Sequence, residues 1–367
     1  MSKLNAVRRK PIQVETKKLI ETSYFHPQQT LPLVVKPSLE GLNLLSWVKN
    51  NREFIDENLA QHGAILWRNF CFKTILEFEQ LLQEIWGDLL DYTYRSTPRS
   101  QIQGKIHTST EYPAHQTIPL HNEMAYSCSW PLKIAFFCQR AATEGGETPI
   151  ADSRNLLKLI SPEIVKQFED KKVLYVRNYG EDLDLTWQNV FQTEQKTLVE
   201  AYCRQQGIHW EWKKGDHLKT WQVCQATAVH PQTGDKIWFN QAHLFHVSSL
   251  EPNIRDLVLS EYQSEDLPRN AYYGDGTAID DQIIAEINHC YQQETIMFPW
   301  QSGDLLLLDN MRFAHGRMPY VGQRKVVVGM AQPCSNNIVK QAEVKGVTDL
   351  ISYRPPEKPL TTGHPMR

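Results

Sequence analysis

The chain has 367 residues, 41% hydrophobic and 10% aromatic, ordinary proportions for a globular protein with a buried core. Lys and Arg number 39 against 42 Asp and Glu, so no overall field favours nucleic acid or an anionic membrane. No window approaches the ~18 consecutive apolar residues of a spanning helix.

The basic cluster Arg8, Arg9, Lys10, Lys17 and Lys18 is followed by no apolar stretch of the kind a targeting peptide carries, and reads as a solvated tail. Cysteines stand at 71, 128, 138, 203, 224, 290 and 334, odd in number and with no CxxC pair. That pattern encodes neither a zinc ribbon nor a disulfide framework, and points to reduced thiols in the cytoplasm.

Residues 1–40, with turn formers and four prolines, read as an irregular lead-in. Apolar positions from Leu42 to Leu59 follow helical spacing, and Gly63 to Phe70 reads as a short strand. Residues 74–86 predict a second amphipathic helix ending at Gly87. From about residue 90 to 150 the chain turns to Thr, Ser, Tyr, Pro and Gly around short apolar runs such as Ile134–Cys138, which fits strands and loops. A helical insertion is expected at 153–170, started by Ser161-Pro162-Glu163, and another near 193–206. Strands are expected at 221–229 and 236–239, a helix at 278–293, and strands at Asp304–Leu308 and Lys325–Met330. There is no internal repeat. The expectation is an α+β chain, mainly β with helical decoration, forming a single domain over 41–340 with a tail at 341–367.

Two segments carry chemistry. His121 and Glu123 lie two residues apart, a spacing that puts both side chains on one face of an extended segment. A His and a carboxylate supply two corners of a facial triad, whose open positions suit an oxoacid and dioxygen at non-haem Fe(II). Taken alone, such a pair is more often a surface pair or a hydrogen-bonded core histidine. Far downstream, the apolar run Leu305–Leu308 leads to His315, beside a glycine that allows the backbone to bend. Arg324 then opens the apolar run Val326–Val328, and a buried arginine requires an anion. A ligand carboxylate such as that of 2-oxoglutarate would serve, as would an internal Asp or Glu.

At these residues the sequence resembles the TauD/TfdA family of Fe(II)/2-oxoglutarate dioxygenases, within it the clavaminate synthase-like and SyrP-like branch. The resemblance spans about 60–335. It is carried by Tyr94-Arg95-Ser96, Ser109–Pro113, His121–Met124, Gly145–Arg154, Trp238–Gln241 and Gly303-Asp304 through His315-Gly316-Arg317 to Arg324. It implies a double-stranded β-helix (jelly-roll) core, iron held by His121, Glu123 and His315, and 2-oxoglutarate held by Arg324 with help from the Thr148 hydroxyl.

Much of the family has His-x-Asp, and Glu123 sorts this chain into the clavaminate synthase branch. A retained carboxylate ligand also disfavours halogenation. Many relatives carry a second arginine four residues beyond the first, where this chain has Val328, so a small free anionic substrate is not expected through that position. The resemblance implies hydroxylation of an amino acid or amino-acid derivative, free or tethered to a carrier protein, in natural-product biosynthesis. Desaturation or cyclisation, a zinc hydrolase, and a non-catalytic binding protein are the alternatives. For substrate contacts, Arg95, Arg99, Glu111, Tyr112 and Asn240 are the candidates, with Trp238 and Phe239 as lining or plain core. His243 and His246 read as structural, and Cys128 and Cys138 as small buried hydrophobes.

Overall fold

The computed structural model describes residues 19–25, 31–97, 99–109, 112–180 and 185–336. Its largest sheet has eight strands in the order Ile20–Ser23, Leu33–Pro37, Ala64–Trp67, Leu305–Asp309, Ser129–Arg140, Lys325–Ser335, Ile106–Thr108 and Gln101–Gln103. Only Leu33–Pro37 and Ala64–Trp67 run parallel as neighbours.

The strands at the centre read as almost continuous apolar runs because both faces are covered. Alternation sorts their side chains. Leu305, Leu307, Phe137 and Val327 pack with Phe78, Leu81, Leu82 and Trp47 of the helices Ile75–Trp86 and Leu44–Lys49. Leu306, Leu308, Phe136 and Val328 join Ile150 and Phe313 in a second cluster on the other side. These last two residues belong to a three-stranded antiparallel sheet in the order Ile118–His121, Phe313–Arg317, Ile150–Asp152.

The chain between Asp152 and Leu305 carries a further four-stranded antiparallel sheet, ordered His209–Trp212, Leu218–Cys224, Val173–Tyr179, Arg269–Tyr273. Helices Ser153–Leu159, Pro162–Lys171, Lys196–Gln206 and Asp281–Glu294 surround it, sharing a cluster that includes Phe168, Tyr175, Val199 and Ile287.

Several expectations need correction. The lead-in is not irregular throughout: Ile20–Ser23 and Leu33–Pro37 pair with each other in the large sheet. Pro37 closes its strand at the border, where a missing N–H is tolerated, while Leu33, Val34 and Val35 are buried. The first helix is two, Leu44–Lys49 and Arg52–His62, because Asn50 caps one and the Asn51 side chain turns back to the Trp47 carbonyl at 2.7 Å. The helix Ile75–Trp86 forms where expected, started by a reciprocal capping box between Thr74 and Glu77. Strands Val173–Tyr179 and Arg269–Tyr273 were not legible, since buried Arg177 and Asn178 interrupt the apolar pattern of the first. Arg177 is accommodated over the Tyr179 ring at 4.9 Å and donates to the Arg95 carbonyl at 2.8 Å.

Among the described residues no helix is long and apolar enough to cross a membrane. The basic cluster at Arg8–Lys18 and the expected tail at 341–367 lie outside the described residues.

Candidate metal centre and co-substrate cavity

Antiparallel pairing of Phe313–Arg317 with Ile118–His121 sets His315 opposite His121, with ring centroids 4.6 Å apart. Glu123 follows at the end of the same segment, buried like both histidines. One ligand atom from each of His121, Glu123 and His315 lies within 4.8 Å of the others, and among the described residues no other trio of His, Cys, Asp or Glu is so placed.

Each side chain is prepared for a cation. The Pro119 carbonyl lies 2.8 Å from His121 Nδ1 and only accepts, so Nδ1 carries the proton and Nε2 is left as the ligand. Both ring nitrogens of His315 are buried without a hydrogen-bond partner, a cost that metal coordination would remove at one of them. Burial, with His121 and Arg99 close by, pushes the His315 imidazole far below its ordinary range. Burial also lowers His121, against the pull of Glu123. For Glu123 burial works the other way, but the Arg99 guanidinium and His121 outweigh it and hold the carboxyl below its usual value. Two neutral imidazoles and one carboxylate are the donor set of a facial non-haem iron site.

The backbone carrying these groups is tied at successive positions. His243 Nε2 lies 2.8 Å from the Leu120 carbonyl, and Gln241 Nε2 donates to the Asn122 carbonyl at 2.6 Å. Asn310 accepts from the Glu123 N–H at 2.7 Å and donates to its carbonyl at 3.0 Å. Asn310 closes the strand Leu305–Asp309, so the two ligand-bearing regions are locked together.

A cavity runs from His121 and His315 past Phe136, Ile118 and Thr148 to Arg324. Arg324 donates through Nε to the Gly146 carbonyl at 2.8 Å and through Nη1 to Ser109 Oγ at 3.4 Å. Among the described residues it forms no ion pair with a carboxylate, and burial with the neighbouring Arg317 cation pushes it down to about 10. An unneutralised, half-buried guanidinium of this kind calls for an anion. The double glycine makes room for it. Gly146 has φ +74°, and a Cβ there would stand 2.9 Å from Arg324 Cδ. Thr148 is buried, and its Oγ1 accepts from Trp300 Nε1 at 3.0 Å, leaving its own O–H to donate.

The glycine after His315 stands where the pairing with Ile118–His121 shifts register, between His315 and Arg317. Gly316 sits within a strand, and a Cβ there would meet the Ile118 carbonyl oxygen at 2.6 Å. Close approach of the two ligand-bearing strands is what requires it.

The substrate candidates separate. Arg99 lines the cavity and pairs with Glu123 Oε2 at 2.7 Å. Arg95 is spent on main-chain carbonyls, donating to Tyr92 at 2.9 Å and Arg99 at 2.6 Å. Tyr112 offers its carbonyl to Arg317 Nη1 at 2.9 Å. Asn240 is fully buried, donating to the Ala226 carbonyl at 2.8 Å and accepting from the Ala242 N–H at 3.0 Å, so its amide is committed to its own loop. Glu111 lies outside the described residues. Trp238 packs on Phe168 at 5.1 Å and Phe239 on Trp130 at 4.8 Å, the plain core reading. His243 stacks on Tyr291 at 4.3 Å and His246 Nδ1 faces Ser248 Oγ at 2.7 Å, so both are structural as read. Sequence reasoning missed Tyr92 and the role of Asn310. The polar end of the strand at Asp309-Asn310 was the one available signal, and Tyr92 had none.

Residues 28–330 match the family described as taurine catabolism dioxygenase TauD, TfdA family. The chain is 43% identical over 279 residues to the dapdiamide synthesis protein DdaC of Enterobacter agglomerans, covering 76% of this chain and 85% of that one. It is 29% identical over 317 residues to a clavaminate synthase-like protein of Arabidopsis thaliana, covering 83% and 92% respectively. Among solved structures, PvcB of Pseudomonas aeruginosa aligns with a TM-score of 0.47 at 14% identity, over 81% of this chain and 84% of that one.

Proposed function

This chain belongs to the TauD/TfdA family of Fe(II)- and 2-oxoglutarate-dependent dioxygenases, in its clavaminate synthase-like branch, and we propose that it hydroxylates an unactivated C–H bond of an amino acid or amino-acid derivative. The observation that carries the reading is the buried trio His121, Glu123 and His315, whose two histidines line a cavity that also holds Arg324, a guanidinium with no ion-paired carboxylate among the described residues. His121 Nε2, a Glu123 oxygen and a His315 nitrogen would hold the iron. Arg324 would take the distal carboxylate of 2-oxoglutarate, with the Thr148 O–H as a second donor. Bound together, iron and 2-oxoglutarate supply the oxidising power, consuming dioxygen and releasing succinate and CO2. The protein supplies position and a dry, apolar wall from Phe136 and Ile118.

The apolar cluster shared by the large sheet and the three-stranded sheet supports a jelly-roll core around the site, in a single domain that takes in the N-terminal strands as well. Seven free thiols support a reducing, cytoplasmic setting. The substrate class rests on the similarity to a dapdiamide synthesis protein. Val328 in place of a second arginine favours a substrate whose carboxylate is already masked, as on a carrier protein.

The test is to supply Fe(II), 2-oxoglutarate and air with amino acids, free and loaded on a carrier protein. Succinate matched by a product heavier by one oxygen is the expected result. Succinate matched by a product lighter by two hydrogens would replace hydroxylation with desaturation or cyclisation, and no succinate with any of them would remove the reading.

A further inference from the structure

Glu123 has one more methylene, and so one more free torsion, than the Asp that much of the family carries at this position. A longer carboxylate can swing or grip a metal with both oxygens, and either would close positions that the co-substrate needs. In this fold both oxygens are already engaged. The Tyr92 hydroxyl donates to Oε1 at 2.9 Å, and Arg99 Nη2 donates to Oε2 at 2.7 Å. Tyr92, Arg99 and Glu123 are all buried.

The two partners are built as a unit. The Arg99 guanidinium lies over the Tyr92 ring at 4.6 Å. Arg95 donates to the carbonyls of these same two residues, Tyr92 at 2.9 Å and Arg99 at 2.6 Å. Its own carbonyl is fastened in turn by Arg177 at 2.8 Å. Oε2, the oxygen held by Arg99, is the one that faces His315, 3.8 Å from Nε2.

We propose that Tyr92 and Arg99, braced by Arg95, are positioning residues that hold Glu123 as a ligand through Oε2 alone. Tyr92 keeps Oε1 off the metal, and Arg99 fixes the direction of Oε2. The proposal rests on the iron reading above and adds to it the device that lets a glutamate do the work of an aspartate. Loss of an outer partner to a metal ligand costs roughly 10–100-fold in metal affinity.

The test is anaerobic Fe(II) binding by equilibrium dialysis, for the wild type, Tyr92→Phe, Arg99→Met and Arg99→Lys, together with the visible band of the Fe(II)–2-oxoglutarate complex. Tyr92→Phe frees Oε1 to reach the metal, so Fe(II) binding should hold or tighten while the 2-oxoglutarate band shifts or is lost. Arg99→Met should weaken Fe(II) binding about 10–100-fold, and Arg99→Lys, which keeps a donor and a charge, should recover part of the loss. An unchanged band in Tyr92→Phe, or unchanged or tighter Fe(II) binding in Arg99→Met, overturns the proposal. If Arg99→Met does not fold, Tyr92→Phe decides alone, since it removes one hydroxyl. A wild type that gives no band removes the parent reading, whereas variants that match a band-forming wild type remove only the positioning role.

Discussion

His315 is the direct cross-strand partner of His121, and their rings stand 4.6 Å apart although 194 positions separate them in the chain. The site therefore exists only when the strand Phe313–Arg317 pairs with Ile118–His121 in this register. Slipping the register by one residue would turn His315 to the other face. Gly316 permits that pairing, because a Cβ there would meet the Ile118 carbonyl oxygen at 2.6 Å. Gly316→Ala is expected to lower Fe(II) affinity about 10-fold or more, an effect of the size seen when a ligand is displaced. Anaerobic metal titration checks this, and unchanged affinity would show that the strands have room to spare.

Arg324 and Gly146 make a paired prediction about the co-substrate. Arg324→Ala should raise the 2-oxoglutarate concentration needed for half-saturation about 10–100-fold, the worth of a charge-assisted hydrogen bond, and leave Fe(II) binding intact. Gly146→Ala adds a Cβ 2.9 Å from Arg324 Cδ at a φ of +74°, so it should shift the same quantity in the same direction by less. Titration of the visible band with 2-oxoglutarate measures both.

Arg68 and Asp304 form a buried pair, with Nε to Oδ1 at 3.0 Å and Nη2 to Oδ2 at 2.6 Å, at the entry to the strand Leu305–Asp309. Asp304→Ala leaves the guanidinium buried without its anion and is expected to cost about 3–5 kcal/mol. Replacing both partners together by apolar residues should cost less than the single change. Urea denaturation midpoints decide between them.

The pH dependence of stability has a definite sign in the metal-free protein. Burial pushes both His243 and His107 down to about 4, with Arg95 and Arg99 adding to the effect at His107. In the unfolded chain a histidine titrates near ~6.5. Between those values the unfolded state binds protons that the folded state refuses, so stability falls as pH drops from about 6.5 towards 4 and is regained as pH rises. His243→Gln should flatten the slope of the unfolding midpoint over that window. An unchanged slope would show that His243 is protonated in the fold.

That His121, Glu123 and His315 are candidates for one site was legible in the sequence because each carries a local signal. His121 and Glu123 are set by the two-residue period of an extended segment, and His315 follows an apolar strand that announces itself. Arg324 was legible for the same reason, as a charge at the mouth of Val326–Val328. The partners that tune the site were not legible. Tyr92, Arg99 and Asn310 reach Glu123 from segments that only the fold brings together, and hydrogen bonds across such distances leave no periodicity. Arg99 as a substrate contact was a reasonable guess about charge, and its pairing with Glu123 shows how a loop guanidinium finds the nearest buried anion. The four-stranded sheet was half hidden because buried Arg177 and Asn178 make the strand Val173–Tyr179 look polar.

The most direct test adds 2-oxoglutarate to the Fe(II)-loaded protein without oxygen and records the visible spectrum. A weak charge-transfer band in the wild type, lost in His315→Ala, is the expected result. No band in the wild type, or a band that survives in His315→Ala, would contradict the assignment of His121, Glu123 and His315 as the iron site.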